Sequence, residues 1–354
     1  MRTVSKLIGL MSGTSLDGLD IAFCSFFKNV DTWVYTINHT ETIAYPEDLS
    51  DALKDAISFP EKHIKGLDKK LGYFFAEMLS DFINKYDISP DIISSHGHTI
   101  FHQPGKAYTL QIGNGEIIAR ETGITTINDF RTYDIKLGGQ GAPLVPIGDE
   151  LLFPEFVACI NLGGFSNISF SKDKNRIAFD ICPCNLILNK AASESSLGYD
   201  KDGEMARSGN VNVEILRELN ALEYYHLPHP KSLGLEWLKM HFFPILEKYN
   251  ITETDLLATY SEHISSLIAG EINKLPEGKA LITGGGAYNT FLIESIMSKT
   301  DQEIVIPDNQ LIEFKEALIF AFLGLLRFRN EINILSSVTG SSKDHIAGTI
   351  HKKT

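Results

Sequence analysis

Three polar turns rich in glycine interrupt apolar, strand-like segments of the sequence. They are MSGTSLDGLD (residues 11–20), NLGGFSN (161–167) and ITGGGAYN (282–289). Glycine lets a backbone approach a ligand closely, and backbone N–H groups beside hydroxyls and a carboxylate suit a triphosphate with Mg²⁺. Any one of these turns is more often an ordinary hairpin, so the prediction of phosphate chemistry depends on finding three in one chain.

Two carboxylates stand at the ends of predicted elements. Asp180 ends the apolar segment RIAFDI (176–181), and Glu316 lies in KEALIFA (315–321) at the start of a predicted helix. A carboxylate at a strand end can be aimed into a cleft. Each also has a structural alternative, because Asp180 could cap the helix that begins near Asn185 and Glu316 could favour the dipole of its own helix.

The segments around these residues alternate between strand-like and helical patterns. Apolar runs predict strands over 6–10, 19–27 and 32–46, which together form a β-meander. Apolar residues at helical spacing predict helices over 47–57 and 62–86. The chain is therefore predicted to have an α/β fold.

The second half of the chain restarts in the same way as the first. About 150 residues after the first turn, the segment 156–171 again reads as strand, glycine-rich turn and strand. This predicts two similarly built lobes with a cleft between them. We place the first lobe at residues 1–146, joined by the C-terminal segment 335–354, and the second lobe at residues 147–334.

Composition and charge exclude several classes of function. The chain has 354 residues, 43% of them hydrophobic, and a formal net charge of -13, which argues against nucleic-acid and membrane partners. The longest apolar stretch, at 317–326, is too short to cross a bilayer, and the N-terminal apolar run is not that of a signal peptide. The four cysteines lack C-x-x-C spacing, so a reduced, cytoplasmic location is predicted.

Nine segments, taken in chain order, resemble those of one known family. They are IGLMSGTSLDGLDIA, SSHGHTIFHQP, LQIGNGEIIARETGI, NDFRTYDIKLGGQGAPLVP, INLGGFSNIS, FDICPCN, ITGGGAYN, EALIFAFLG and NILSSVTGSS. They are similar to segments of the anhydro-N-acetylmuramic acid kinases over nearly the whole chain. The resemblance implies a two-lobed sugar kinase/actin-like (ribonuclease H-like) α/β fold with a central ATP cleft.

The resemblance also implies that ATP and Mg²⁺ bind at the glycine-rich turns. The residues implied in ATP binding are Gly13, Thr14, Ser15, Leu16, Asp17, Gly18, Leu19 and Asp20 in the first hairpin, Gly163 and Gly164 in the second, and Gly284, Gly285 and Gly286 near the adenosine. Asp17 and Asp20 are the candidates to hold Mg²⁺ through water. The alternative for the first hairpin is an Asx-type turn with solvated carboxylates.

The reaction implied by the resemblance combines hydrolysis with phosphorylation. The 6-oxygen of the substrate is tied into a 1,6-anhydro bridge, so water attacks the anomeric carbon while the departing 6-oxygen attacks the γ-phosphate of ATP. By resemblance, Asp180 is the catalytic base and Glu316 helps to place the water. The implied pathway is cell-wall recycling.

A further set of residues is similar to the family's sugar-binding residues: His96, Arg131, Gln140 and Asn185. Arg131 is the candidate partner for the lactyl carboxylate of muramic acid, and a surface ion pair is its alternative. The spacing of His96, His98 and His102 could also indicate zinc. We prefer a substrate-side or structural role for these histidines, since the family usually has glutamine at position 98.

Two departures from the family pattern leave the substrate open. FDICPCN (179–185) stands where the family commonly has F-D-T-G-P-G-N, and Leu233 and Leu235 stand where it tends to have threonine and arginine. The sequence therefore allows a kinase for a different 1,6-anhydro sugar, or a sugar or nucleotide sensor without turnover. Related kinases often pair through the second lobe, so a homodimer is expected.

Overall fold

The computed structural model of the protein describes residues 4–13, 16–193 and 198–352. Within these residues the strands are β1 (Ser5–Ser12), β2 (Leu19–Asn29), β3 (Thr32–Ile43), β4 (Ile92–Gln103), β5 (Tyr108–Ile112), β6 (Thr126–Asn128), β7 (Phe156–Leu162), β8 (Phe165–Lys172), β9 (Asn175–Pro183), β10 (Lys279–Thr283), β11 (Glu303–Val305) and β12 (Thr349–His351).

The helices of the same residues are mostly short. They are α1 (Glu47–Asp55), α2 (Glu61–Tyr86), α3 (Gly115–Thr122), α4 (Thr132–Lys136), α5 (Pro146–Leu152), α6 (Asn185–Ala191), α7 (Glu204–Ser208), α8 (Val213–Asn220), α9 (Leu235–Trp237), α10 (Phe243–Leu246), α11 (Glu253–Ile272), α12 (Thr290–Met297), α13 (Asn309–Phe328) and α14 (Ser336–Thr339). Among the described residues, every helix is too short or too polar to span a lipid bilayer.

The chain divides into two compact units. The first unit comprises Met1–Leu152 and Phe314–Thr354, and the second comprises Phe153–Glu313. Each unit has its own sheet, so each is described separately below.

The sheet of the first unit begins as an antiparallel meander and continues with parallel strands. Its order within the described residues is β12-β6-β4-β1-β2-β3, with β5 paired to β4. β1 and β2 form the hairpin around the first polar turn, and β3 completes the meander. β4 runs parallel to β1, and β6 runs parallel to β4.

The sheet of the second unit has the same plan. Its order within the described residues is β11-β10-β7-β8-β9. β7, β8 and β9 form the antiparallel meander, while β10 runs parallel to β7 and β11 runs parallel to β10. The predicted α/β class and the repeat of one building plan are therefore confirmed. Both sheets thus join an antiparallel meander to parallel strands.

Alternate residues of β1 contact different layers of the first unit. Ile8 and Leu10 belong to a buried cluster that α2 completes, with Phe75 and Leu79 among its members. Gly9 lies on the opposite face, where a Cβ atom would be 1.9 Å from the carbonyl oxygen of Ala317 in α13. Successive residues of a strand point to opposite faces. One face of β1 therefore packs against α2, and the other contacts α13.

Replacing Gly9 with alanine is expected to destabilise the first unit by about 3 kcal/mol or more, because the new methyl group would overlap backbone atoms that cannot rotate away. Gly66→Ala in α2 is the matched control. A Cβ at Gly66 meets open space, so this variant should gain roughly 0.5–1 kcal/mol from the helix propensity of alanine. Urea unfolding measures both changes, and an unchanged midpoint for Gly9→Ala would contradict the packing described here.

The core of the second unit surrounds its sheet with α11 and α12. Its buried members include Ile160 of β7, Ile282 of β10, Tyr260 and Ile264 of α11, and Leu292 of α12. The sequence predicts a long helix near 255–274, and α11 (Glu253–Ile272) confirms it.

Candidate functional site

In the polar turn between β1 and β2, the described residues on either side of positions 14 and 15 contact each other and β3. The amide of Leu16 donates to the carbonyl of Gly13 at 3.3 Å, and Leu16 has a positive φ of 62°. A Cβ at Gly18 would lie 2.7 Å from the carbonyl oxygen of Ile43, so this position has no room for a side chain. Thr14 and Ser15, which the sequence placed in this hairpin, lie outside the described residues.

The two aspartates of this hairpin differ in environment. Asp17 is exposed, whereas Asp20 is half-buried and accepts a hydrogen bond of 2.6 Å from the hydroxyl of Thr42. Carboxylate oxygens are suitable ligands for Mg²⁺. In the described part of the chain, no group of three His, Cys, Asp or Glu side chains could hold a metal ion. The carboxylates of Asp17 and Asp20 are oxygen donors of the type that fits Mg²⁺.

A buried chain of hydrogen bonds fixes the last residue of β1. The hydroxyl of Tyr45 donates to Ser12 Oγ at 2.7 Å, and Ser12 Oγ lies 2.8 Å from Nδ1 of His98. Burial lowers the pKa of His98 to about 4, so the ring is neutral at pH 7 and Nδ1 can accept the Ser12 proton. His98 thus holds the strand end that leads into the first hairpin.

Arg131 is held inside the first unit by polar contacts. Its Nη1 donates to the carbonyl of Gly141 at 2.6 Å, and its Nη2 and Nε lie 2.8 Å and 3.2 Å from His96 Nε2. Burial and the charge of Arg131 hold the pKa of His96 well below its usual range, so the ring is neutral and accepts. Arg131 is half-buried, and these hydrogen bonds join it to a carbonyl and a neutral ring and not to a carboxylate.

Glu316 lies well inside α13, not at its start. The helix begins at Asn309, about two turns earlier, and a helix dipole acts mainly within the first turn. The first-turn alternative for Glu316 is therefore wrong. Burial raises the pKa of Glu316, the charges of Arg131 and Lys315 oppose that rise, and Asp20 adds to it. Glu316 thus interacts electrostatically with Arg131 and Asp20, which belong to the same unit.

The other sugar-side candidates of the first unit differ in their surroundings. Gln140 is exposed, and its backbone N–H donates to the carbonyl of Thr339 at 2.8 Å. His102 Nδ1 lies 3.3 Å from the hydroxyl of Thr109. The three histidines thus have different hydrogen-bond partners: His96 lies against Arg131, His98 against Ser12 and His102 against Thr109.

The two glycine turns of the second unit come together at one edge of its sheet. Gly163 and Gly164 follow β7, and Gly284–Gly286 follow β10, which is parallel to β7, so both turns extend from carboxyl ends of adjacent strands. A Cβ at Gly286 would lie 2.7 Å from Leu162 Cβ. Gly284 has a φ of 84°, and a Cβ there would lie 2.4 Å from Asn161 Oδ1. Gly284 and Gly286 are therefore packed against the residues that end β7, with no room for a side chain.

Asn185 joins the two turns. Its backbone N–H donates to the carbonyl of Gly163 at 3.1 Å, and its side-chain Nδ2 donates to the carbonyl of Leu162 at 2.9 Å. Its Oδ1 is the atom that a Cβ at Gly286 would approach to 3.0 Å. The sequence assigned Asn185 to the sugar, and the structure places it between the two glycine turns.

Asp180 lies near the end of β9 and is half-buried. The backbone N–H of Leu233 donates to its Oδ2 at 2.9 Å. Burial raises the pKa of the Asp180 carboxyl group, and the Leu233 hydrogen bond opposes that rise. The N-cap of α6 is Cys184, which makes no side-chain cap bond. The interpretation of Asp180 as a helix cap is therefore wrong.

Two residues that sequence reasoning missed surround Asp180. The hydroxyl of Tyr224 donates to the carbonyl oxygen of Asp180 at 2.6 Å, and the Lys231 Nζ donates to the carbonyl of Tyr224 at 3.1 Å. Lys231 also lies over the ring of Phe179, at 5.4 Å from its centroid. Tyr224 is 44 residues from Asp180 in the chain, and no local pattern in the sequence indicates that contact.

The residues that depart from the family pattern after Asp180 are buried in the core of the second unit. Ile181, Cys182 and Cys184 are 3%, 0% and 0% exposed and belong to its hydrophobic cluster. The Ser166 hydroxyl donates to the carbonyl of Cys182 at 3.1 Å. The side chains of these three residues thus fill the interior, while Leu233 contributes its backbone N–H to Asp180.

Comparison with known proteins agrees with this arrangement of motifs. A family model described as anhydro-N-acetylmuramic acid kinase matches residues 5–353. The anhydro-N-acetylmuramic acid kinase of Hydrogenovibrio crunogenus is 35% identical over 366 residues, which cover 98% of each chain. The one from Aliivibrio fischeri is 37% identical over 375 residues, which cover 98% of this chain and 99% of the relative.

Solved structures of much lower sequence identity also show a likeness to this chain. One is a ROK family glucokinase from Streptomyces griseus in complex with glucose and AMPPNP, which is 10% identical with a TM-score of 0.41 and covers 90% of this chain and 99% of that one. The family is shown instead by the sequence matches, which extend over nearly the full length of both chains. On that basis the chain belongs to the anhydro-N-acetylmuramic acid kinase family.

Proposed function

We propose that this protein is an ATP-dependent kinase that opens the 1,6-anhydro ring of anhydro-N-acetylmuramic acid and phosphorylates its 6-oxygen. The product is N-acetylmuramic acid 6-phosphate, a sugar recovered from the cell wall. The observation that carries the proposal is the match of the family model to residues 5–353.

The reaction couples two bond cleavages. Water adds to the anomeric carbon as the bond from that carbon to the 6-oxygen breaks, and the 6-oxygen takes the γ-phosphoryl group as ADP departs. The phosphoryl group thereby occupies the place that a proton from a general acid fills in a glycosidase. A single base is needed to accept the proton of the attacking water.

We assign that base to Asp180. Its carboxylate accepts one hydrogen bond from Leu233, which fixes its orientation and leaves lone pairs available for water. Burial raises its pKa and so strengthens it as a base. Glu316, whose pKa is also raised by burial, is assigned to placing the water.

We assign recognition of the sugar carboxylate to Arg131. Its contacts with Gly141 and His96 hold the guanidinium in one orientation, and its remaining N–H groups can pair with a carboxylate. His96, Gln140 and Asn185 remain candidates for the polar groups of the sugar.

We assign ATP to the glycine-rich turns. Gly164 and Gly285 are exposed, so the backbone of both turns can approach a nucleotide, and the hairpin at 13–20 would supply further backbone donors. Mg²⁺ would be held through water by Asp17 and Asp20, and it would neutralise charge on the phosphates. We further propose that the two compact units are the two lobes of the kinase fold. A homodimer and a cytoplasmic location remain predictions from the sequence.

The proposal is tested by product analysis in ¹⁸O-labelled water. The enzyme is incubated with ATP, Mg²⁺ and anhydro-N-acetylmuramic acid, and the products are separated by mass spectrometry. We expect a 6-phosphorylated sugar with one heavy oxygen at its anomeric centre, because the anomeric hydroxyl comes from solvent. Heavy oxygen on phosphate instead would indicate simple ATP hydrolysis and contradict the proposal.

The same assay separates the alternatives. Turnover of a 1,6-anhydro sugar without a lactyl group, and not of the muramic acid derivative, would support a different substrate. ATP binding without any phosphorylated sugar would support a sensor.

A further inference from the structure

A chain of short hydrogen bonds connects Arg131 to a residue near the C-terminus. Arg131 Nη1 donates to the carbonyl of Gly141 at 2.6 Å, and the N–H of Gly141 donates to Asp134 Oδ2 at 2.6 Å. The hydroxyl of Thr339 donates to the other carboxylate oxygen, Asp134 Oδ1, at 2.7 Å. Both oxygens of Asp134 are therefore used within the first unit.

Asp134 is 0% exposed, so its environment must supply its hydrogen bonds. Its backbone carbonyl accepts the N–H of Gly139 at 3.0 Å. A Cβ at Gly139 would lie 2.1 Å from Asp134 Oδ2, so the loop 138–141 closes directly over the carboxylate. His345 Nε2 approaches Oδ1 at 3.6 Å. The loop 138–141 is thus packed against the Asp134 carboxylate and hydrogen-bonded to it.

The C-terminal segment supports the loop from its other side. The N–H of Gln140 donates to the carbonyl of Thr339 at 2.8 Å, and the N–H of Ser342 donates to the carbonyl of Leu137 at 3.0 Å. Thr339 therefore contacts the loop through its backbone and holds Asp134 through its side chain. Thr339 is 1% exposed and 205 residues from Asp134 in the chain.

We propose that Asp134 and Thr339 are positioning residues for substrate recognition: they fix the loop 138–141 so that its Gly141 carbonyl orients the Arg131 guanidinium toward the sugar carboxylate. This inference rests on the proposed role of Arg131. Burial lowers the pKa of Arg131, and the charge of Asp134 opposes that fall.

The physical reason is the cost of leaving a buried carboxylate short of a donor. A hydrogen bond to a charged group is stronger than one between neutral groups, and its removal from one oxygen allows the carboxylate to rotate toward another donor. Gly141 would then lose its fixed position, and Arg131 would lose one of the contacts that set its direction.

The test is a double-mutant cycle between Thr339→Val and Arg131→Ala, measured as kcat/KM for anhydro-N-acetylmuramic acid. Valine keeps the shape of threonine but removes the hydroxyl. We expect Thr339→Val alone to lower kcat/KM about tenfold, through a higher KM for the sugar and with the KM for ATP unchanged. In the Arg131→Ala background the same change should have almost no effect, because a residue that acts through Arg131 has nothing left to position.

Two further variants protect the test from a folding defect. Thr339→Ser retains the hydroxyl and should keep nearly the wild-type KM. Gly139→Ala disturbs the same carboxylate from the loop side and should also raise the sugar KM only while Arg131 is present. Additive losses in the cycle, or equal losses in the KM for ATP and for the sugar, would overturn the inference. A wild-type enzyme without activity on this sugar would instead overturn the proposed function.

Discussion

Replacing Asp180 with asparagine is expected to lower kcat by at least about a hundredfold, because general base catalysis contributes roughly 10²–10⁴ to a rate. Asparagine keeps the size of the side chain, and its Oδ1 can still accept the 2.9 Å hydrogen bond from Leu233. The variant should therefore fold normally and bind ATP with wild-type affinity. Steady-state kinetics and calorimetric titration with ATP measure the two quantities separately.

Asp173→Asn is the matched control for this experiment. Asp173 is exposed in the turn between β8 and β9, where its φ of 50° is one that asparagine adopts readily. It should leave kcat unchanged. If Asp180→Asn retained most of the wild-type kcat, Asp180 would not be the base, and the role would pass to another group.

The pH dependence of the wild-type enzyme gives an independent check on the same carboxylate. Asp180 accepts a proton only when it is ionised, so kcat/KM should rise with pH as the group loses its own proton. Burial raises its pKa, so this rise in kcat/KM should occur at a higher pH than for an ordinary aspartate. The residual activity of Asp180→Asn should not show the rise, and a wild-type profile without it would argue against an aspartate base.

Replacing Arg131 with alanine is the second change for which a large effect is expected. The guanidinium is already oriented by Gly141 and His96, so little entropy is lost when a carboxylate binds. Removing one partner of a buried, hydrogen-bonded charge pair costs about 2–5 kcal/mol. We therefore expect kcat/KM for anhydro-N-acetylmuramic acid to fall at least about thirtyfold, mainly through KM.

A 1,6-anhydro sugar without the lactyl group provides the comparison. It offers no carboxylate, so Arg131→Ala should change its kcat/KM much less. Arg120→Ala is the control variant, because Arg120 is an exposed residue of the same unit paired with Glu121. Equal losses for both sugars would mean that Arg131 supports the fold of the site and does not recognise the acidic group.

The agreement between sequence and structure is closest where the signal is local. The hairpin of β1 and β2 follows from apolar runs on both sides of a polar turn, and Gly123, which caps the end of α3, has a φ of 67° that suits glycine. The start of α13 was misplaced because its first residues, NQLIEFKE, carry a weaker apolar pattern than the run that follows. This error led to the first-turn interpretation of Glu316.

The departures after Asp180 show a limit of reasoning from motifs. The sequence shows that Ile181, Cys182 and Cys184 replace residues common in the family, but it cannot show where their side chains point. β9 and the turn after it direct all three into the hydrophobic core, where they replace polar or absent side chains with buried apolar volume. Asp180, on the same strand, remains half-buried and accepts a hydrogen bond from Leu233.

The sequence by itself determined the α/β class, the repeated strand-turn-strand plan and the family, because each depends on patterns within short segments or on long specific motifs. Tertiary structure alone decided which of these segments meet. Parallel strands carry Gly164 and Gly284 to one sheet edge, and Thr339 reaches Asp134 across 205 residues. Such contacts depend on strand order and on the packing of helices over the sheets, and no local pattern of residues encodes them.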